Sequence, residues 1–150
     1  MMSAPATAER QRWMAVLARA SAAELSGLLA EGPALPDFVR LRGPEVGLVM
    51  MRGRAGGGGA PFNLGEITVT RCTVRAGAQT GHATVTGRDT TRAELAARVD
   101  AALQDPALHD ALQARVIAPL TAAQESARET AARHAAATQV KFFTMSTMRA

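Results

Sequence analysis

The chain is 150 residues long, enough for one domain that buries roughly 70% of its extended-chain surface. Its hydrophobic fraction is 47% but only 3% is aromatic, with no tyrosine, one Trp and four Phe, so the expected core is thin and built from Leu, Val, Met and Ala. The net charge is +4, carried almost wholly by arginine with Lys141 as the single lysine; this is compatible with phosphorylated ligands or nucleic acid and selects neither. Cys72 is alone, which excludes an intramolecular disulfide and a protein-only thiolate cluster. The N-terminal residues lack a basic region followed by an apolar core, and no run approaches the ~18 apolar residues of a membrane span. The expectation is a cytoplasmic, soluble protein.

Thr7 or Ala8 begins a helical pattern with Trp13, Met14, Leu17 and Ala20 on one face. Ser21-Ala22-Ala23-Glu24 has the spacing of a capping box and predicts a second short helix carrying Leu25, Leu28 and Leu29, ended by Gly32-Pro33. Pro36 opens an extended segment over Asp37–Arg42, and Gly43-Pro44 reads as a turn. Strands are predicted at about Val46–Arg52 and Gly65–Val74, then Gly77–Gly81 as a hairpin connection and His82–Thr86 as the next strand. Thr91-Arg92-Ala93-Glu94 suggests another capping box, opening a helix with Leu95, Val99 and Leu103 in one stripe. Asp105-Pro106 reads as an N-cap followed by proline at the first helical position, with Leu108, Leu112, Val116 and Leu120 inward. Pro119 should kink or divide that helix. Gln139–Met145 has strand character and is expected to return to the sheet or to be offered to a partner chain. The fold class is α+β: an antiparallel sheet, an N-terminal helix pair, C-terminal helices and a final returning strand, in a single domain over residues 1–150.

The chemically pointed stretch is Gly47–Val74, two strands joined by the glycine run Gly56–Gly59 with Arg52 and Arg54 at its mouth. The glycines match neither a P-loop, since no Lys-Ser/Thr follows, nor a Gly-x-Gly-x-x-Gly register. They suit a long hairpin loop that orders on a partner, or a backbone cradle for an anion. Arg40, Arg42, Arg52, Arg54, Arg71 and Arg75 bring guanidinium forks suited to phosphate or phosphonate oxygens, or they pair with Asp37, Glu45 and Glu66. Glu66 follows the loop and serves either as a carboxylate for Arg52 or Arg54 or as a base beside a substrate hydroxyl. His82, His109 and His134 have no metal-ligand spacing, and only His82 lies near the basic segment. Cys72 reads as a small core residue. The anion-binding or interface candidates are thus Arg52, Arg54, Glu66, Arg71 and His82, and no catalytic or metal-ligating residue is assigned. Phe62, Asn63, Phe142 and Phe143 are the candidates for partner docking. A nucleic-acid module would interleave aromatics with the arginines, and this segment offers only Phe38 and Phe62, so no nucleic-acid partner is expected.

The ordered segments Arg12-Trp13-Met14, Pro44-Glu45, Gly47 to Arg54 (GLVMMRGR), Pro61 to Glu66 (PFNLGE), Thr68 to Cys72 (TVTRC), Gly81-His82, Gly87-Arg88-Asp89 and Phe142 to Met145 span nearly the whole chain. In these segments the chain resembles the G subunit family of the bacterial carbon–phosphorus lyase core complex, the PhnG family. The resemblance implies a place in phosphonate catabolism beside the H, I and J core subunits and an ATPase-like L subunit. It implies a complex that joins an alkylphosphonate such as methylphosphonate to C1′ of MgATP. Adenine leaves, and α-D-ribose 1-methylphosphonate 5-triphosphate forms. On that view this chain binds no cofactor alone, MgATP is a substrate of the complex, and the iron–sulfur cluster and S-adenosylmethionine belong to the J subunit. The alternative is a scaffold that joins the other subunits and touches no substrate.

Overall fold

The computed structural model describes residues 7–55 and 58–140. Helices α1 (Thr7–Arg19) and α2 (Ala22–Ala30) are followed by strands β1 (Val39–Gly53), β2 (Phe62–Ala76) and β3 (Gln79–Thr86). Then come α3 (Thr90–Leu103), α4 (Pro106–Leu112), a π-helical turn over Gln113–Ile117 and α5 (Ala118–Ala137). The strands form one antiparallel sheet in the order β1-β2-β3, and the α+β class stands.

The local signals explain most element ends. Ser21 accepts from the Glu24 amide while the Glu24 carboxylate takes the Ser21 N–H, so α2 starts on a complete capping box. Asp105 caps α4, with Pro106 in its first turn. Pro119 lacks the N–H that an α-helical turn would use, and the chain answers with the π turn just before it, where the Ala118 N–H reaches back to Gln113 O. Helix α3 differs from expectation: its cap is Asp89, whose carboxylate accepts from the Arg92 N–H, and Glu94 instead holds Arg40 of β1.

The sheet differs from expectation in two places. Gly43-Pro44 is not a turn between strands, because the residues around it remain paired with β2 and β1 runs through it as a bulge. Gly43 sits at φ +68°, and a Cβ there would lie 2.6 Å from the Glu45 N and 2.7 Å from the Arg71 O, so the bulge requires glycine. The connection expected over Gly77–Gly81 is a tight turn at Gly77-Ala78, since Gln79 and Thr80 already pair with Ala76 and Arg75. Gln139 and Val140 carry no regular structure, and the rest of the expected final strand, with Phe142 and Phe143, lies outside the described residues.

One face of the sheet carries Cys72, Val74 and Ala76 of β2 with Ala83 and Val85 of β3, and this face packs on α3. The α3 stripe is Ala93, Ala96, Ala97, Ala101 and Ala102 with Val99 and Leu103, all buried. Such small side chains let the helix backbone approach the sheet at Gly81, where an added Cβ would meet Ala101 N at 2.6 Å and Ala97 O closer still. Trp13, Leu17 and Leu25 close the core from the N-terminal helices, and Leu112, Val116 and Leu120 from the C-terminal ones. Asp100 sits among them, fully buried. Its carboxylate accepts from Arg10 Nη2 at 2.7 Å, Arg10 Nε at 3.2 Å, Trp13 Nε1 at 2.8 Å and the His82 backbone N–H at 2.9 Å. It ties α1 and the β3 edge to α3. No described helix is long and apolar enough to cross a membrane.

Candidate functional site

The β2–β3 pairing ends at Val69 with Thr86, but β1 and β2 continue as a pair from Leu48 with Thr68 to Gly53 with Phe62. Leu48–Gly53 and Phe62–Thr68 therefore leave the body as a two-stranded arm roughly 20 Å long, at about 3.3 Å per residue. Within the arm and at its root, Val46, Leu48, Val49, Met50, Met51, Phe62 and Leu64 are all exposed, and they lie on both faces of the ribbon. A two-stranded ribbon without a third strand or a helix behind it is marginal alone in water. Exposed apolar side chains along both faces mark a surface that functions when covered.

The register decides where the basic candidates point. Arg52 pairs with Asn63, and it shares a face with Met50 and Glu66, which pair with each other one step back. Leu64 is an extra residue on β2 between these pairs, and Gly53 leaves the room into which its side chain folds. Arg52, Arg54 and Glu66 are exposed, and none forms an ion pair among the described residues. The carboxylate that Glu66 could have lent to Arg52 or Arg54 is thus not engaged with them. Phe62 and Asn63 sit exposed at the far end of the arm.

Arg71 lies elsewhere. It pairs with Glu45 and Thr84 on the face of the sheet turned away from α3, and its guanidinium comes within 3.5 Å of where a Gly47 Cβ would stand. His82 shares that face, paired with Thr73, whose hydroxyl lies 3.2 Å from His82 Nδ1. Arg75 and Arg42 flank them, with Arg42 ion-paired to Glu45 at 2.6 Å. The structure therefore brings Arg71 and His82 together on the open sheet face. It separates them from Arg52, which is seven residues from Glu45 along β1, roughly 23 Å.

Other described groups are engaged within the fold. Burial, and then the Glu94 charge, push the Cys72 thiol above its ordinary range, which keeps it protonated in the core. Arg40 is held in its charged form by the hydrogen bond and charge of Glu94. Phe38 is covered by the Arg98 guanidinium 4.3 Å above its ring, which removes one of the two aromatics near the basic segment from stacking on a base. No cluster of His, Cys, Asp or Glu fit to hold a metal occurs among the described residues. Sequence reasoning missed Asp100 and the Arg40–Glu94 pair.

Among the described residues the chain is an α+β body with a projecting apolar arm, and the arginines at the arm's end form no ion pair. The family model described as phosphonate metabolism protein PhnG matches residues 8–149, and the chain belongs to that family. It is 47% identical over 142 residues to the alpha-D-ribose 1-methylphosphonate 5-triphosphate synthase subunit PhnG of Rhizobium meliloti (strain 1021), covering 92% of this chain and 88% of that relative.

Proposed function

We propose that this chain is a subunit of a ribose 1-methylphosphonate 5-triphosphate synthase, required for transfer and not itself the catalyst. In the reaction an oxygen of an alkylphosphonate such as methylphosphonate bonds to C1′ of MgATP. The C1′–nitrogen bond breaks, and adenine leaves with a proton. The reading is carried by the arm, an apolar element with no cover within the described residues, on a chain similar to a named synthase subunit. Its partners on this reading are the H, I and J core subunits and an ATPase-like L subunit, in the cytoplasm. The iron–sulfur cluster and S-adenosylmethionine serve a later step in J.

The arm's covering would exclude water from the reacting centre, and the arginines would hold the anionic acceptor; together these favour transfer over hydrolysis. Two basic surfaces are available for that work: Arg52 with Arg54 at the arm's end, and Arg71 with His82 on the open sheet face. Their separation favours a second reading on a specific observation: with no single basic pocket among the described residues, the chain is a scaffold that joins the other subunits and touches no substrate. Alanine at Arg52, Arg54 and Arg71 together, in the purified complex, distinguishes them. The first reading expects intact assembly with at least a tenfold rise in KM for phosphonate or a tenfold gain of hydrolysis over transfer, each a change of about 1.4 kcal/mol. Unchanged assembly, affinity and partition would leave the scaffold.

A further inference from the structure

The two edges of the sheet are treated differently. At the β3 edge, Arg10 Nη2 and Gln104 Nε2 both donate to Thr80 O at 2.9 Å, and Asp100 takes the His82 N–H. Helix α1 lies alongside, so the chain's own side chains satisfy that edge. The β1 edge receives no such cover from the described residues. Its first half is protected by the Gly43-Pro44 bulge and by charged Arg40, Arg42 and Glu45. From Val46 to Met51 it is regular, uncharged and apolar on both faces, and it faces outward with no strand beyond it among the described residues. A long apolar edge of this kind is a template for another strand, which is why isolated proteins break it with charge or proline.

We infer that the free edge of β1 along Val46–Arg52 receives an extended segment of another synthase subunit as a fourth strand, apolar over about six residues and carrying a carboxylate opposite Arg52. This rests on the assembly reading above. A second copy of this chain does not fit the edge. Antiparallel strands related by a two-fold axis pair each residue with one of the same face, because cross-strand neighbours point the same way. Over Glu45–Gly53, Arg52 shares its face with Val46, Leu48 and Met50, and Glu45 lies on the other. Self-pairing within this run would set Arg52 against apolar side chains or a second Arg52, because the one carboxylate of the run, Glu45, lies on the other face and is already held by Arg42. A different chain supplying Asp or Glu there satisfies Arg52, and main-chain bonds give the strand its affinity, as in β-augmentation generally.

The test is amide exchange at single-residue resolution in the purified multi-subunit complex, together with a photo-crosslinker at Val49 of this chain. In an edge strand, alternate amides face solvent and exchange fast; in an augmented strand, successive amides are all held. The expectation is slowed exchange, on the order of 100-fold, at every amide from Val46 to Arg52. The crosslink should fall in one contiguous segment of another subunit containing an acidic residue. A complex that forms while alternate β1 amides still exchange freely overturns the strand and leaves the subunit reading intact. Crosslinking to a second copy of this chain likewise overturns it. If no complex forms, both fall.

Discussion

Replacing Asp100 by Asn changes no volume and still unsettles the centre of the fold. All four of its contacts are donors: Arg10 Nε and Trp13 Nε1 reach one carboxylate oxygen, Arg10 Nη2 and the His82 N–H reach the other. An amide offers one oxygen and one NH2, so whichever way it turns, two N–H groups are aimed at a donor. Each buried donor left without a partner costs about 1–3 kcal/mol, and the Arg10 guanidinium also loses its counter-charge. The expected loss is about 3–4 kcal/mol, a large part of the ~5–15 kcal/mol that holds a domain together. For a chain of this size that lowers Tm by about 10 °C. Trp13 is the only tryptophan and touches Asp100 directly, so urea unfolding followed by its fluorescence reports on the site itself. A D100N protein within about 1 kcal/mol of the parent would refute this account of the core, because the carboxylate would then be dispensable.

Gly81→Ala should be as damaging for a different reason. The added methyl meets backbone of α3, Ala101 N at 2.6 Å and Ala97 O nearer, and neither can rotate away. A loss of about 3 kcal/mol or more in urea unfolding is expected, the upper end of overpacking costs, whereas Gly58→Ala, with open space around it, should be silent. Glu24 gives a pH dependence. Its hydrogen bonds from the Ser21 backbone and hydroxyl hold its carboxyl below the ordinary 4.5. The stabilisation is present above that value and is lost as pH falls through the lower folded-state pKa. Glu24→Ala should therefore cost up to about 1 kcal/mol at pH 7 and progressively less below pH 4.5; a difference unchanged down to pH 3 contradicts the assignment.

What the sequence made legible was local. Ser21 with Glu24, Asp105 with Pro106, and the disturbance at Pro119 each depend on chemistry within a few residues. The α3 cap went to Asp89 and not Thr91 because Glu94, the carboxylate that would complete the box, is drawn off by Arg40 of a strand 54 residues away. Asp100 was hidden because an acid in an alanine-rich helix looks solvated. The available signal was its place on the stripe of Ala93, Ala96, Ala97 and Ala101, which carries no other charge. The arm's apolar run was visible, but its lack of a third strand among the described residues was not, since that depends on β3 ending at Thr86. Which faces Arg40 and Arg42 take rests on the bulge between them, since one extra residue in a strand moves all that follow to the other side. Arg52 lies on the face opposite to that of Arg71 because Arg71 pairs with Glu45, seven residues before Arg52 on a regularly alternating strand. Arg71 and Arg52 therefore part company for reasons that composition and spacing do not carry.

The most direct test of the central claim is co-expression of this chain, tagged, with the other synthase subunits. The purified material would be assayed with MgATP and methylphosphonate for adenine and for the ribosyl phosphonate. The account predicts that the subunits co-purify, that product forms only with phosphonate present, and that omitting this chain turns transfer into hydrolysis or abolishes it. A tagged chain that elutes alone, or a complex lacking it that makes the ribosyl phosphonate at the full rate, would contradict the account.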